Sequence, residues 1–164
     1  MIIISIVIHF ATVMNPQIDT LKKVRAFLLE GIKDLTSEQL NKIPQGYNNN
    51  IIWNLGHLVA AQQGICYKRA NLTPHITEEF WEQFRSGSKP NGYVSTEEIA
   101  RIKTLFLRTM DELDADYNKG IFNNYTAWTT RYAIEITSIE DALKFLPYHE
   151  GLHSGVIATM RKLV

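Results

Sequence analysis

His149 and His153 stand four residues apart in the segment Leu146-Pro147-Tyr148-His149-Glu150-Gly151-Leu152-His153-Ser154-Gly155-Val156-Ile157. On a helix that step stacks two side chains on one face, so two imidazoles can address one point. Neutral imidazole is the commonest transition-metal ligand, and this spacing brings two nitrogens within reach of a single ion. A third candidate lies far upstream. His57 sits among apolar neighbours in Asn50-Ile51-Ile52-Trp53-Asn54-Leu55-Gly56-His57-Leu58-Val59. The expectation is a three-histidine metal site, His57, His149 and His153, assembled from two helices. The bland alternatives are a satisfied core histidine for His57 and two surface histidines near a helix end for the pair. His75, after Pro74 in a loop, and His9, near the N-terminus, carry no such pattern.

The same residues spell a literal H-E-x-x-H, the helix of zinc proteases in which the glutamate is the general base. Those enzymes take a third ligand downstream, yet the eleven residues after His153 include no His, Asp, Glu or Cys. The six-residue step that would bring a third histidine falls on Thr159. Little sheet is expected that could hold an extended peptide. The protease reading is therefore set aside. Glu150 remains the nearest candidate in sequence for a catalytic base, although its side chain lies about 100° round the helix from His149. A solvated surface glutamate is the competing view of it.

Composition bounds what such a site can serve. At 164 residues the chain suits one domain, long enough to bury about 70% of the surface its unfolded form exposes. Seventeen basic and seventeen acidic residues cancel, which argues against a nucleic-acid surface with its usual basic excess. The single cysteine, Cys66, rules out an intrachain disulfide and is compatible with a reducing cytoplasm, the expected location. Residues 1–13 include the apolar run Met1-Ile2-Ile3-Ile4-Ser5-Ile6-Val7-Ile8, too short to span a bilayer. It lacks the basic start and the good cleavage site of a signal peptide. We read it as an N-terminal extension, with the domain proper covering 14–164.

The elements that must position the histidines follow from periodicity and caps. Asn15-Pro16 opens a first helix to about Asp34, with Ile18, Leu21, Val24, Leu28, Ile32 and Leu35 as its buried stripe. After a short turn at 36–40 and breakers at Pro44, Gly46 and Asn48–Asn50, a second helix runs from Ile51 to about Ala70 and carries His57. A long polar link over 71–94 holds a short helical stretch at 78–84. Ser95-Thr96-Glu97-Glu98 starts a third long helix to about Tyr117. Residues 118–136 look irregular, with a short strand at 132–136. Ser138 with Asp141, or Thr137 with Glu140, then caps a fourth helix to about Lys162, in which Pro147 should kink the axis just before His149. Four amphipathic helices imply an all-α four-helix bundle. Links of about twenty residues exceed ordinary bundle turns and are expected to shape a pocket mouth. Tyr125, Trp128, Tyr132 and Tyr148 are candidates for its walls, or else for core or dimer packing.

Trp53-Asn54-Leu55-Gly56-His57-Leu58 and the segment from His149 to Ile157 resemble the two signature segments of the DinB/YfiT-like superfamily. The resemblance spans about Met14 to Val164. It implies a four-helix bundle in which a histidine of the second helix and an H-x-x-x-H pair of the last bind a divalent metal, here His57, His149 and His153. Asn54, Gly56 and Gly155 suit the pattern, whereas Val156 stands where many members carry glutamine. The metals implied are zinc or nickel. The activities implied are those of metal-dependent hydrolases and of transferases or isomerases that use a low-molecular-weight thiol such as bacillithiol or mycothiol, with a small-molecule substrate and a homodimeric assembly. Neither nucleic acid nor membrane is an expected partner. Two other classes stay open on the sequence: a non-enzymatic metal-binding or stress-response bundle, and an interaction protein whose histidines are incidental.

Overall fold

The structure is a computed structural model that describes residues 14–164, so the reading of residues 1–13 as an extension lies outside it. Among the described residues six helices and one small hairpin are present. α1 spans Pro16–Gly31, α2 Ser37–Asn41, α3 Ile51–Cys66, α4 Glu78–Phe84, α5 Thr96–Asn118 and α6 Ile139–Met160. The strands β1, Trp128–Thr129, and β2, Glu135–Ile136, pair antiparallel, with Trp128 opposite Ile136. The four long helices form the bundle, and each packs on two others in the order α1, α5, α3, α6 around the square. The all-α four-helix bundle expected from sequence is what forms.

Local chemistry sets where the helices begin. The Asn15 side chain accepts from the amides of Gln17 and Ile18, and Pro16 supplies a first-turn residue that needs no donor. Asn50 caps α3 by accepting from Trp53 N, and Ser95 caps α5 by accepting from Glu98 N. At α6, Ser138 accepts from Asp141 N while Asp141 accepts from the amide and hydroxyl of Thr137. The ends differ more from expectation. α1 stops at Gly31 rather than Asp34, and α3 stops at Cys66, with a separate 3-10 turn over Lys68–Ala70. α6 runs unbroken through Pro147, because that residue's missing N–H removes only the bond to the Leu143 carbonyl.

Two apolar clusters fill the bundle. One gathers Leu28, Ile32, Ile51, Leu55, Phe106 and Ile157, and the other Ile18, Leu21, Cys66, Met110, Leu113, Leu143 and Leu146. Full burial of each such side chain contributes about 1.5–3 kcal/mol. A polar layer lies between them. Arg25, one turn from both Leu21 and Leu28, is completely buried, and its Nε and Nη2 donate to the two carboxylate oxygens of Glu150 on α6 at 2.9 and 3.2 Å. The same guanidinium donates to Phe106 O and Thr109 Oγ1 on α5 and to Leu58 O on α3. One side chain therefore ties α1 to all three other long helices.

The links pack against α3. Gly56 and Gly64 have no side chain because a Cβ on Gly56 would strike the Phe84 ring and one on Gly64 would strike the Trp81 indole. Small residues thus let α4 lie directly on α3. Among the described residues no helix is long and apolar enough to cross a membrane.

Candidate metal centre

α3 is buried along nearly its whole length, so His57, 5% exposed, is held firmly by its neighbours. Trp53, one turn earlier, stacks on its ring with centroids 4.8 Å apart and planes within 8°. His57 Nδ1 lies 2.8 Å from Phe84 O, the end of α4. A carbonyl only accepts, so Nδ1 carries the proton and Nε2 is left with a free lone pair.

His153 is fixed by a similar device. Its Nδ1 is 2.7 Å from Asn54 Oδ1. The amide of Asn54 cannot be turned round, because its Nδ2 donates to Asn49 Oδ1 and Asn50 O. The oxygen therefore faces His153, whose Nδ1 must donate and whose Nε2 is bare. His149 differs. Its Nδ1 is buried and has no hydrogen-bond partner among the described residues. A buried imidazole nitrogen without a partner is costly, so this ring keeps a polar position that the described residues leave unsatisfied.

The three rings form a triangle with centroid separations of 4.7, 4.8 and 5.3 Å, and one ligand atom from each lies within 4.8 Å of the others. This group could hold a metal ion, and its donor set of neutral imidazoles suits a divalent transition metal. Electrostatics favours the neutral form. Burial lowers the pKa of all three from the ordinary histidine value, carrying His149 to about 3 and His153 to about 4; Arg131 adds repulsion at each, and neighbouring imidazoles add it at His149 and His153. For His57 the Phe84 carbonyl partly opposes this fall. At neutral pH the triad presents lone pairs rather than protons.

The triad opens on a cleft of about 790 Å³. α4 and the segment after it contribute Trp81, Arg85, Ser86 and Gly87, and the hairpin contributes Trp128, Thr130, Arg131 and Tyr132. The long links do shape the mouth. Of the aromatic candidates, Trp128 and Tyr132 line this cleft, whereas the Tyr125 hydroxyl donates to Ile65 O and half-exposed Tyr148 packs edge-on against Tyr132. The hairpin itself exceeds the single strand expected at 132–136. Buried Thr130 closes its turn by accepting from the amides of Tyr132 and Ile134, and Ala133 takes a left-handed φ of 59°.

Glu150 is placed elsewhere. It is 2% exposed, both its oxygens are held by Arg25, and it does not line the cleft. A solvated surface glutamate is also not what the structure shows. His75 is tied to Asp116 at 2.9 Å, away from the triad. Sequence reasoning missed Arg25, whose position within an apolar stripe was the available signal, and missed Trp81, Arg69 and Arg131 as wall residues.

No curated protein matches the chain. A family model, described as the DinB superfamily, matches residues 20–157 and so takes in α3, α6 as far as Ile157, and all three histidines of the triad. With that match over most of its length, the chain belongs to the DinB superfamily.

Proposed function

We propose that the protein is a metal-dependent enzyme acting on a small molecule, with a divalent transition metal held by His57, His149 and His153. One observation carries the reading. Two imidazoles have their tautomers fixed so that Nε2 is bare, the third keeps a buried nitrogen without a partner, one ligand atom from each residue lies within 4.8 Å of the others, and all three residues line a cleft large enough for a drug-sized ligand. A bound ion of this kind supplies a Lewis acid that polarises a carbonyl or acidifies a water or thiol. The chain's own residues do the rest. Phe84 O and Asn54 hold the ring orientations, Trp53 keeps His57 in plane, and the aromatic walls exclude water and position a substrate.

The chemistry we favour is hydrolysis, or transfer involving a low-molecular-weight thiol, and the cleft favours either over a non-enzymatic metal-binding role, which would need no such volume. The single cysteine supports a reducing, cytoplasmic setting. The test is elemental analysis of protein purified without a metal-affinity tag, beside the His149→Ala/His153→Ala variant. About one transition-metal ion per chain, lost in the variant, supports the site and justifies screening thiol transfer and small-amide hydrolysis. Absence of metal in the wild type, even after zinc or nickel is added, overturns it.

A further inference from the structure

The chain as a whole is electrically balanced, but the cleft is not. Four cationic residues, Lys68, Arg69, Arg85 and Arg131, are among the residues that line it, and no aspartate or glutamate is. Two of the four are neutralised by outward carboxylates, Lys68 by Glu78 and Arg85 by Glu82. Arg69 and Arg131 have no carboxylate partner among the described residues. Both are instead braced on aromatic rings of the same wall. The Arg69 guanidinium lies 4.9 Å from the Trp128 ring centre, and that of Arg131 lies 4.9 Å from the Tyr132 ring centre and donates to the Tyr132 hydroxyl. Stacking holds a guanidinium in place while leaving N–H groups in its plane free to meet a carboxylate or phosphate in bidentate fashion.

We propose that the cleft takes a small organic anion with a flat apolar body, its carboxylate or phosphate received by Arg69 and Arg131 and its body lying between the indole walls. The proposal rests on the reading of this cleft as the substrate site, and it adds the substrate's charge and the residues that select it. Arg69, in the 3-10 turn after α3, and Arg131, in the hairpin turn, both meet hairpin aromatics, so the anionic end is anchored there while the rest of the molecule reaches toward the histidines.

The protein supplies its own reporter. Its three tryptophans, Trp53, Trp81 and Trp128, all line this cleft, so intrinsic fluorescence reads occupancy there. The experiment titrates chelator-treated, metal-free full chain with benzoate, phenyl phosphate and neutral benzamide. Removing metal prevents direct coordination of the anion, so the result stands whether or not the three-histidine site is confirmed. Saturable quenching by benzoate or phenyl phosphate, at least about ten-fold tighter than by benzamide, is expected. Benzoate and phenyl phosphate compared with each other tell which oxyanion the arginines prefer. Arg131→Gln, at an exposed position whose own contact is with the equally exposed Tyr132, and Arg69→Gln should each weaken the anion by about ten-fold and leave benzamide unchanged, and Arg131→Lys should recover part of the loss. Equal binding of anion and amide, no saturable binding of either anion, or anion binding unaffected in the double glutamine variant overturns the proposal. Loss of metal binding with anion selectivity intact would instead remove the metal-dependent reading alone.

Discussion

Glu150→Ala should destabilise the bundle by about 3 kcal/mol, and Arg25→Met by about 5 kcal/mol, the two ends of the range for breaking a buried ion pair. The asymmetry follows from what each change strands. Without Glu150, the Arg25 guanidinium loses its counter-charge but keeps Phe106 O, Thr109 Oγ1 and Leu58 O as acceptors. Without Arg25, the Glu150 carboxylate has no donor left, at 3% side-chain exposure, and two backbone carbonyls lose a partner as well. Against the 5–15 kcal/mol typical of a whole domain, the arginine variant approaches the limit of folding. Replacing both, as Arg25→Met/Glu150→Leu, should cost less than either single change, because no charge is left buried. The assay is urea unfolding followed by far-ultraviolet circular dichroism, with metal content measured on the folded double variant. That variant should still bind metal, since neither residue lines the cleft. Single variants within about 1 kcal/mol of wild type, or a double variant worse than the sum of the two, would refute the reasoning. A stable double variant that lost turnover while keeping metal would return Glu150 to consideration as a base.

Three further outcomes are expected. Asn54→Ala removes the acceptor that fixes His153 and should weaken metal binding about 10- to 100-fold, with helix content unchanged by circular dichroism. Gly56→Ala places a methyl group against the Phe84 ring and should cost about 1–3 kcal/mol in a denaturant titration, with a fall in metal affinity because Phe84 O also orients His57. Metal retention in dialysis should stay flat as pH falls from about 8 to about 5, where ordinary histidines would already compete with protons. The folded pKa values lie below the unfolded value, so the metal-free fold binds fewer protons than its unfolded chain in this window. Its stability therefore declines from about pH 6.5 downward toward the folded values of about 4 and about 3 for His153 and His149. A metal-loss midpoint near pH 6.5 would contradict the buried setting of the triad.

The starts of the helices were legible because caps are local. Asn15, Asn50, Ser95 and Ser138 each act on amides two or three residues away. The histidine pair was legible for the same reason, since a four-residue step has one meaning on a helix. His57 stood out as a third candidate by its setting among apolar residues, and the resemblance of its segment to a known family then tied it to the pair. What escaped depends on distant partners. Arg25 and Glu150 are 125 residues apart, and nothing near Glu150 announces that its side chain turns inward. Gly56 and Gly64 acquire meaning only once α4 is known to lie on α3. The weak alternation over 132–136 hinted at one strand, but its two-residue partner Trp128–Thr129 is too short to show any, so the hairpin wall that carries Arg131 was not legible.

α6 has to face two ways, and its rotational phase about its own axis decides whether it can. Apolar packing alone sets that phase loosely, because a ridge of similar side chains tolerates small turns. Glu150 acts as a key: seated on Arg25, it points to the bundle axis, and the 100° step of the helix then aims His149 toward α3, with His153 directly above it. On the remaining side lie Gly151 and Gly155, where an added Cβ would meet nothing. Drift at a residue of α1 that never approaches the cleft would thus be felt as a loss of aim at the triad, so the permissible substitutions at Arg25 are governed by angle as much as by stability.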